Sequence, residues 1–140
     1  MLRHLVVVAI LAPSVNAADL ALEAPVREMS RRLLGNARFG FSHEEQAAFV
    51  VRTASGAIGF LHWPSDGVFD SARWEGRFPG GVVAIIHTHP NWMPSPSSID
   101  AWTARSTGVS VYVITRAEIS KTTGGAAEVV ISGDWYSRPE

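Results

Sequence analysis

The sequence predicts a single α/β domain in which about two helices flank a mixed β-sheet. Short apolar runs rich in Val and Ile are separated by turn residues, and one segment near the N-terminus has helical periodicity. The 140 residues contain no internal repeat, low-complexity tract or long linker that would divide them. An apolar content of 46% is sufficient for one hydrophobic core in a chain of this length.

Charge and cysteine content exclude several classes of function. The formal net charge is −1, so no broad basic surface is available and nucleic acid is not expected as a partner. The chain has no cysteine, which excludes disulfides, thiolate zinc sites, iron–sulfur clusters and a cysteine nucleophile. Any metal must therefore bind to histidine and carboxylate side chains.

The N-terminus resembles a secretory signal peptide. Arg3 precedes an apolar run, Leu5–Ala12, whose roughly 8 residues fall far short of the about 20 needed to span a bilayer. Ala17, with Val15 two positions before it, suits cleavage, and the mature domain would then comprise 18–140. We expect a secreted or periplasmic protein. The alternative is an uncleaved N-terminal helix on a cytoplasmic protein.

A helix and a hairpin are the first elements expected after this segment. Apolar residues recur at helical spacing over 25–34, with Pro25 at the start and Gly35 at the end. Two β-type runs, Ala47–Arg52 and Ala57–Trp63, flank a four-residue turn that contains Gly. They predict two antiparallel strands joined by that turn.

The second half of the chain is expected to be a loop followed by three strands. Pro64–Gly81 is rich in Pro, Gly and Asp, which is typical of a loop. Val82–Ile86 is continuously apolar, as in a strand buried on both faces, and it ends directly before His87. Val109–Thr115 predicts a further strand, and Ala126–Ser132, which follows a turn, is expected to be its hairpin partner.

The chemistry of the chain concentrates between His87 and Asp100. Residues i and i+2 of an extended segment share a face, so His87 and His89 can present two imidazoles to one point. Ser97 is a good N-cap for the next helix, and Asp100 in its first turn can add a carboxylate. Two His and one Asp leave a fourth position for water, as in catalytic zinc sites. Such a site needs a carboxylate that moves the proton, and Glu45, just before the first strand, is the candidate.

Each of these features also has a structural interpretation. The His-x-His pair can be two half-exposed strand residues, and Ser97 with Asp100 can be a capping box. Glu44 and Glu45 can be a solvated pair of charges. These interpretations leave two observations unexplained, the spacing of the residues and the buried run that ends at His87.

The full pattern resembles the JAMM motif of JAB/MPN-domain metalloproteases. His87-x-His89 is followed after seven residues by Ser97 and after two more by Asp100, with Glu45 upstream. The resemblance implies the JAB/MPN (cytidine deaminase-like) fold and a zinc peptidase or isopeptidase. It also implies that His87, His89 and Asp100 bind zinc, Glu45 activates the water, and Ser97 hydrogen-bonds the developing oxyanion.

The resemblance spans roughly residues 45–115 and has two departures. Ala48 stands where the family often has Gly, and Glu44, which lies beside Glu45, is the alternative base. Glu45 is preferred because it is in phase with Phe49 along the strand. Only 40 of the 140 residues follow Asp100, which makes a compact bacterial-type enzyme the closer analogy.

The implied partner is a peptide or protein substrate, with ubiquitin-like proteins as one class. Export instead favours a secreted or cell-wall peptide, as in phage tail proteins that pair JAB domains with cell-wall peptidase domains. No stable membrane insertion is expected, and the sequence does not determine the oligomeric state. Two other functions remain: a non-catalytic MPN-like interaction module, and a small structural or binding domain in which Ser97 and Asp100 only cap a helix.

The remaining aromatic and histidine residues carry less information. Trp92 is expected near the site because it lies in the loop between the ligands, whereas Trp63 is most simply a core residue. Trp135 either closes the sheet or covers the site. We expect His43 and His62 to have surface or structural roles.

Overall fold

The part of the chain that the structure describes folds into a six-stranded mixed sheet with one α-helix on each face, which confirms the predicted fold class. The computed structural model describes residues 19–65, 67 and 71–137. The predicted signal segment, 1–17, lies outside the described residues. The elements are α1 (Ala24–Asn36), β1 (Ala47–Arg52), β2 (Ile58–His62), β3 (Val82–Thr88), α2 (Ser98–Thr107), β4 (Ser110–Ile114), β5 (Glu118–Thr122) and β6 (Glu128–Ser132), with single 3₁₀ turns at Leu20–Leu22 and Arg38–Gly40.

The strand order in the sheet is β2-β1-β3-β4-β5-β6. β3 and β4 are parallel and are joined through α2, while the other neighbouring pairs are antiparallel. The predicted hairpin of β1 and β2 is confirmed. β3 therefore lies inside the sheet, and its C-terminal end points toward the start of α2.

Helix α1 covers one face of the sheet and largely matches its prediction. Pro25 lies at its first turn, and Val26, Leu33 and Leu34 are fully buried. The helix continues one residue beyond Gly35, because the backbone N–H of Ala37 still bonds to the Leu33 carbonyl. No helix among the described residues has the length and apolar character required to cross a membrane.

Strand β3 is buried on both faces, as its apolar run predicts. Ala84 and Ile86 belong to the core on the α1 side. Ile85 points to the other face, where it joins Phe49 and Val111 beneath α2. The alternation places the side chain of every second residue of β3 on the α2 side of the sheet.

The prediction that 109–115 forms a hairpin with 126–132 is wrong, because these two strands are not neighbours in the sheet. Strand β5 lies between β4 and β6 and pairs with both. The apolar pattern of the sequence does not reveal β5, because two of its buried residues, Ser120 and Thr122, are polar and as buried as Ile119. Their hydroxyls donate to the carbonyls of Pro94 and Gly125, which offsets the cost of burying them.

Trp135 closes the core on the α1 side. Its ring is 1% exposed, and its Nε1–H donates to the carbonyl of Thr115 at 3.0 Å. It packs with the apolar residues beneath α1, which is the face opposite to α2. The sequence left open whether Trp135 closes the sheet or covers the site, and the structure shows that it packs against the sheet on the face opposite to the site.

Candidate metal centre

Two imidazoles converge at the C-terminal end of β3. His87 lies within the strand and His89 directly after it, so both point to the α2 side of the sheet. Their Nε2 atoms are 3.0 Å apart, and the two residues are 5% and 4% exposed. The predicted sharing of one face by these two residues is confirmed.

The outer ring nitrogen of His89 fixes the orientation of its imidazole. Nδ1 donates to the backbone carbonyl of Met93 at 2.9 Å, which leaves the lone pair of a neutral ring on Nε2, facing the cluster. Nδ1 of His87 is buried and has no regular hydrogen bond within the part of the chain that the structure describes. The backbone of Tyr112 still lies near enough to favour the protonated ring.

Asp100 enters the cluster from the first turn of α2. Ser97 caps this helix: its Oγ accepts from the Asp100 backbone N–H at 3.1 Å, and its own N–H donates to Asp100 Oδ2 at 2.8 Å. This reciprocal capping box holds the carboxylate in place. Oδ1 then lies 3.1 Å from His87 Nε2, and Oδ2 lies 3.3 Å from His89 Nε2.

Glu45 reaches the cluster through the pairing of β1 with β3. Ala47 lies opposite His87 in this antiparallel pair, so the residues just before β1 run beside the histidines. The Thr88 hydroxyl accepts from the Gln46 N–H at 2.9 Å, and the Thr88 N–H donates to the Gln46 carbonyl at 2.8 Å. Glu45 Oε1 lies 3.8 Å from His89 Nε2.

The neighbouring Glu44 points elsewhere. Its Oε2 accepts from the Ser65 hydroxyl at 3.5 Å, on the loop that follows β2. Successive residues of an extended chain face opposite ways, so only one of the two carboxylates can face the histidines. Glu45 is the one that does.

The donor atoms fit a metal ion. One atom each from Glu45, His87 and His89 lies within 4.8 Å of the others. With bonds of about 2.0–2.1 Å, two ligands of a tetrahedral zinc lie about 3.4 Å apart. The separations of 3.0, 3.1 and 3.3 Å among the two Nε2 atoms and the Asp100 oxygens are close to that value. Imidazole nitrogen and carboxylate oxygen are also donors that zinc accepts.

A pocket of about 150 Å³ opens beside these donors. The four ionisable side chains line one end and Ser97 lies next to them. The rest of the lining is mostly apolar and includes Trp63, which the sequence assigned to the core. Trp63 ends the apolar run of β2 on the α2 side of the sheet, where it packs 5.1 Å from Phe49. The alternation of side chains along this strand was the sequence feature that could have predicted on which face of the sheet Trp63 lies.

The family comparison agrees with this geometry. A family model described as prokaryotic homologs of the JAB domain matches residues 15–129. The chain belongs to this family. Comparison of the chain with curated proteins and with solved structures gave no match.

The electrostatics of this JAB domain favour positive charge at the cluster. Burial alone would lower the pKa of His87, but the carboxylates of Asp100 and Glu45 raise it above its ordinary value. Burial alone would raise the pKa of Asp100, but the charge and hydrogen bonds of the two histidines hold it well below its usual range. Two carboxylates beside two buried imidazoles thus attract a cation.

A strained turn supports the loop that follows His89. Arg38, Phe39 and Gly40 all have left-handed backbone, with φ of 51°, 55° and 83°. Asn91, two residues after His89, holds this turn: its Nδ2 donates to the Phe39 carbonyl at 2.9 Å, and its N–H donates to the Gly40 carbonyl at 2.9 Å. Asn91 Oδ1 also accepts from the backbone N–H of Arg116 at 3.0 Å.

Trp92, in the loop that follows His89, packs against His43. Trp92 is 58% exposed, and its ring meets that of His43 edge-on at a centroid distance of 5.0 Å. Trp92 precedes Met93, the residue whose carbonyl holds His89, but it does not line the pocket. His62 is exposed on the edge strand β2, as the sequence predicts for a surface role.

Proposed function

We propose that the protein is a zinc-dependent peptidase or isopeptidase. The observation that carries the proposal is the convergence of His87, His89, Asp100 and Glu45 at one end of a pocket large enough for part of a substrate. His87, His89 and Asp100 would hold the ion. When bound, zinc would lower the pKa of water and polarise the scissile carbonyl.

Glu45 is the proposed general base. It lies 3.8 Å from His89 Nε2, whereas the Asp100 oxygens lie 3.1 and 3.3 Å from the two imidazoles. Asp100 is therefore the carboxylate nearer to the shared ligand position, and Glu45 lies at the margin, where an attacking water would pass. Glu45 would take a proton from this water and give it to the nitrogen of the leaving amine.

Ser97 is the proposed donor to the developing oxyanion. Its Oγ uses a lone pair to cap α2, which leaves the hydroxyl proton available for a second bond. Its side chain lines the pocket together with the ligands. Helix capping and oxyanion stabilisation are thus compatible in one hydroxyl, and a donor at this position would stabilise charge that appears only in the transition state.

We further propose that the mature protein, 18–140, acts outside the cytoplasm on a secreted or cell-wall peptide. The signal-like N-terminus supports this location, because ubiquitin-like conjugation takes place inside cells. A ubiquitin-like conjugate is the substrate to expect if the N-terminus is retained and the protein stays in the cytoplasm.

Metal content and turnover, measured on the same variants, test the assignment. Wild-type protein purified without chelator should contain close to one zinc by elemental mass spectrometry. His89→Ala and Asp100→Ala should lose it. Glu45→Gln should keep the zinc and lose about 10²–10⁴-fold in turnover of quenched peptides and of an ε-linked lysine isopeptide. Glu44→Gln is the matched control and should keep both zinc and turnover.

The possible outcomes separate the three functions. Failure to bind zinc even on reconstitution would exclude the metallopeptidase and leave Ser97 and Asp100 as a helix cap. Zinc without turnover of any peptide or isopeptide would favour a non-catalytic interaction module. Loss of zinc in Glu45→Gln with retention in Asp100→Ala would exchange the roles of these two carboxylates.

A further inference from the structure

We infer that the apolar half of the pocket binds an aliphatic side chain of the substrate, on the residue that provides the scissile carbonyl. This inference rests on the proposed function and specifies its substrate. Among the described residues that line the pocket, the ionisable ones all lie at the metal end. The other end would therefore reject charge and accept apolar surface.

The floor of the apolar half is formed by the sheet itself. Ile85 lies two residues before His87 on the same face of β3, which places it about 7 Å along the strand from the metal ligand. Val111 lies directly opposite Ile85 on β4 and is 2% exposed. Only Cα separates the carbonyl carbon from the side chain of the same residue, so that side chain can extend toward Ile85 while the carbonyl stays at the ligands.

The walls come from two elements that stand above the sheet. Ile99 and Thr103 lie one turn apart on the same face of α2, next to Asp100. Trp63, which directly follows β2, and the loop residues Ser71 and Ala72 complete the lining. Ile99 is 72% exposed, and a bound aliphatic group would cover part of it.

The volume limits the size of the occupant. A cavity of about 150 Å³ is of the size that holds a benzene ring. Part of this space must hold the metal and a water, which takes roughly 30 Å³ in the liquid. The remainder encloses a branched aliphatic group such as the side chain of Leu or Val, whereas part of an aromatic ring would stay outside the enclosed space.

Hydroxamates test the inference by binding, without turnover. Acetohydroxamate and isovalerohydroxamate share one metal-binding group and differ by three carbons. Each fully buried carbon increases affinity about fourfold, and a half-open pocket should give about tenfold in total. Calorimetry on the zinc-loaded protein should show this preference for isovalerohydroxamate. Phenylacetohydroxamate should bind no more tightly than isovalerohydroxamate.

Variants on α2 locate the effect. Thr103→Phe should fill the pocket and abolish the preference, while the affinity for acetohydroxamate remains. Ser106→Phe places the same ring one turn further along α2, at an exposed residue that does not line the pocket, and should keep the preference. Ile99→Ala changes a mostly exposed residue that folding does not need, and it should reduce the preference about threefold.

Two kinds of failure are distinguishable. Equal affinities for acetohydroxamate and isovalerohydroxamate, tighter binding of the phenyl compound, or an equal loss in Ser106→Phe would overturn this inference and leave the metallopeptidase intact. Absence of zinc, or no binding of acetohydroxamate to zinc-loaded protein, would overturn the proposed function and this inference with it.

Discussion

The contact between Gly40 and Asn91 allows a quantitative prediction. A Cβ added to Gly40 would lie 2.0 Å from Asn91 Oδ1, and the φ of Gly40 is +83°. Gly40→Ala should therefore displace the Asn91 side chain and break its two side-chain hydrogen bonds. Those bonds contribute about 1 kcal/mol each, and left-handed backbone costs Ala about 1 kcal/mol more. The expected loss in the free energy of unfolding is about 3 kcal/mol.

The double variant isolates the steric contact. Asn91→Ala alone should cost about 2 kcal/mol, since it removes the same two bonds. Once these atoms are absent, Gly40→Ala should add only the backbone cost, about 1 kcal/mol. The double variant should therefore lose about 3 kcal/mol, whereas the sum of the single losses is about 5, which gives a coupling of about 2 kcal/mol.

Urea denaturation followed by Trp fluorescence measures these values. Gly35→Ala is the matched control, because Gly35 lies in α1 with no atom within 4 Å of an added Cβ. This change should be neutral or stabilise the protein by up to about 1 kcal/mol. Additive losses in the double variant would refute the argument, because they would show that Ala at position 40 does not act through the Asn91 side chain.

Three further predictions concern regions away from the metal. Asp19→Asn should cost about 1 kcal/mol near neutral pH by weakening the ion pair with Lys121. Burial alone would raise the pKa of Asp19, but Lys121 and hydrogen bonds lower it below 3.8. The difference in stability between variant and wild type, measured by urea denaturation, should therefore persist above pH 3.8 and shrink as the pH falls below it. A difference that grows in acid would contradict this sign. Trp135→Phe should lower the free energy of unfolding by about 1–3 kcal/mol, because it leaves the buried Thr115 carbonyl unpaired. The zinc content should stay unchanged, and loss of zinc would show that Trp135 also supports the site. Intact mass of protein exported with its own N-terminus should correspond to a chain that begins at Ala18, and a mass that includes residues 1–17 would exclude cleavage after Ala17.

The candidate metal ligands were predictable because their geometry is local. His87 and His89 share a face by strand alternation, and Ser97 with Asp100 forms a capping box that spans four residues. Neither relation depends on the rest of the chain. Glu45 depends on strand pairing across more than forty residues of sequence, and the sequence favoured it over Glu44 only through its phase with Phe49. The register of β1 against β3 makes that choice.

Other features had no sequence signal strong enough to find them. Strand β5 buries Ser120 and Thr122, and a pattern based on apolar residues does not detect buried hydroxyls that are satisfied by backbone carbonyls. Arg38 and Phe39 have left-handed backbone, which is uncommon for both residue types, and the bond from Asn91 to the Phe39 carbonyl joins this turn to a segment about fifty residues away. Trp63 lines the pocket because β2 ends on the α2 side of the sheet.

The two backbone-directed bonds between Thr88 and Gln46 have a consequence for how this site can change. They set the position of Glu45 through the main chain, so the location of the carboxylate is independent of its own side-chain chemistry. Replacement of Glu45 by Asp shortens the side chain, and replacement by Gln removes its acidity, but the backbone position of residue 45 stays the same. A one-residue insertion before β1 would instead turn a different side chain toward the histidines. The length of this segment is therefore constrained more strictly than the identity of its residues.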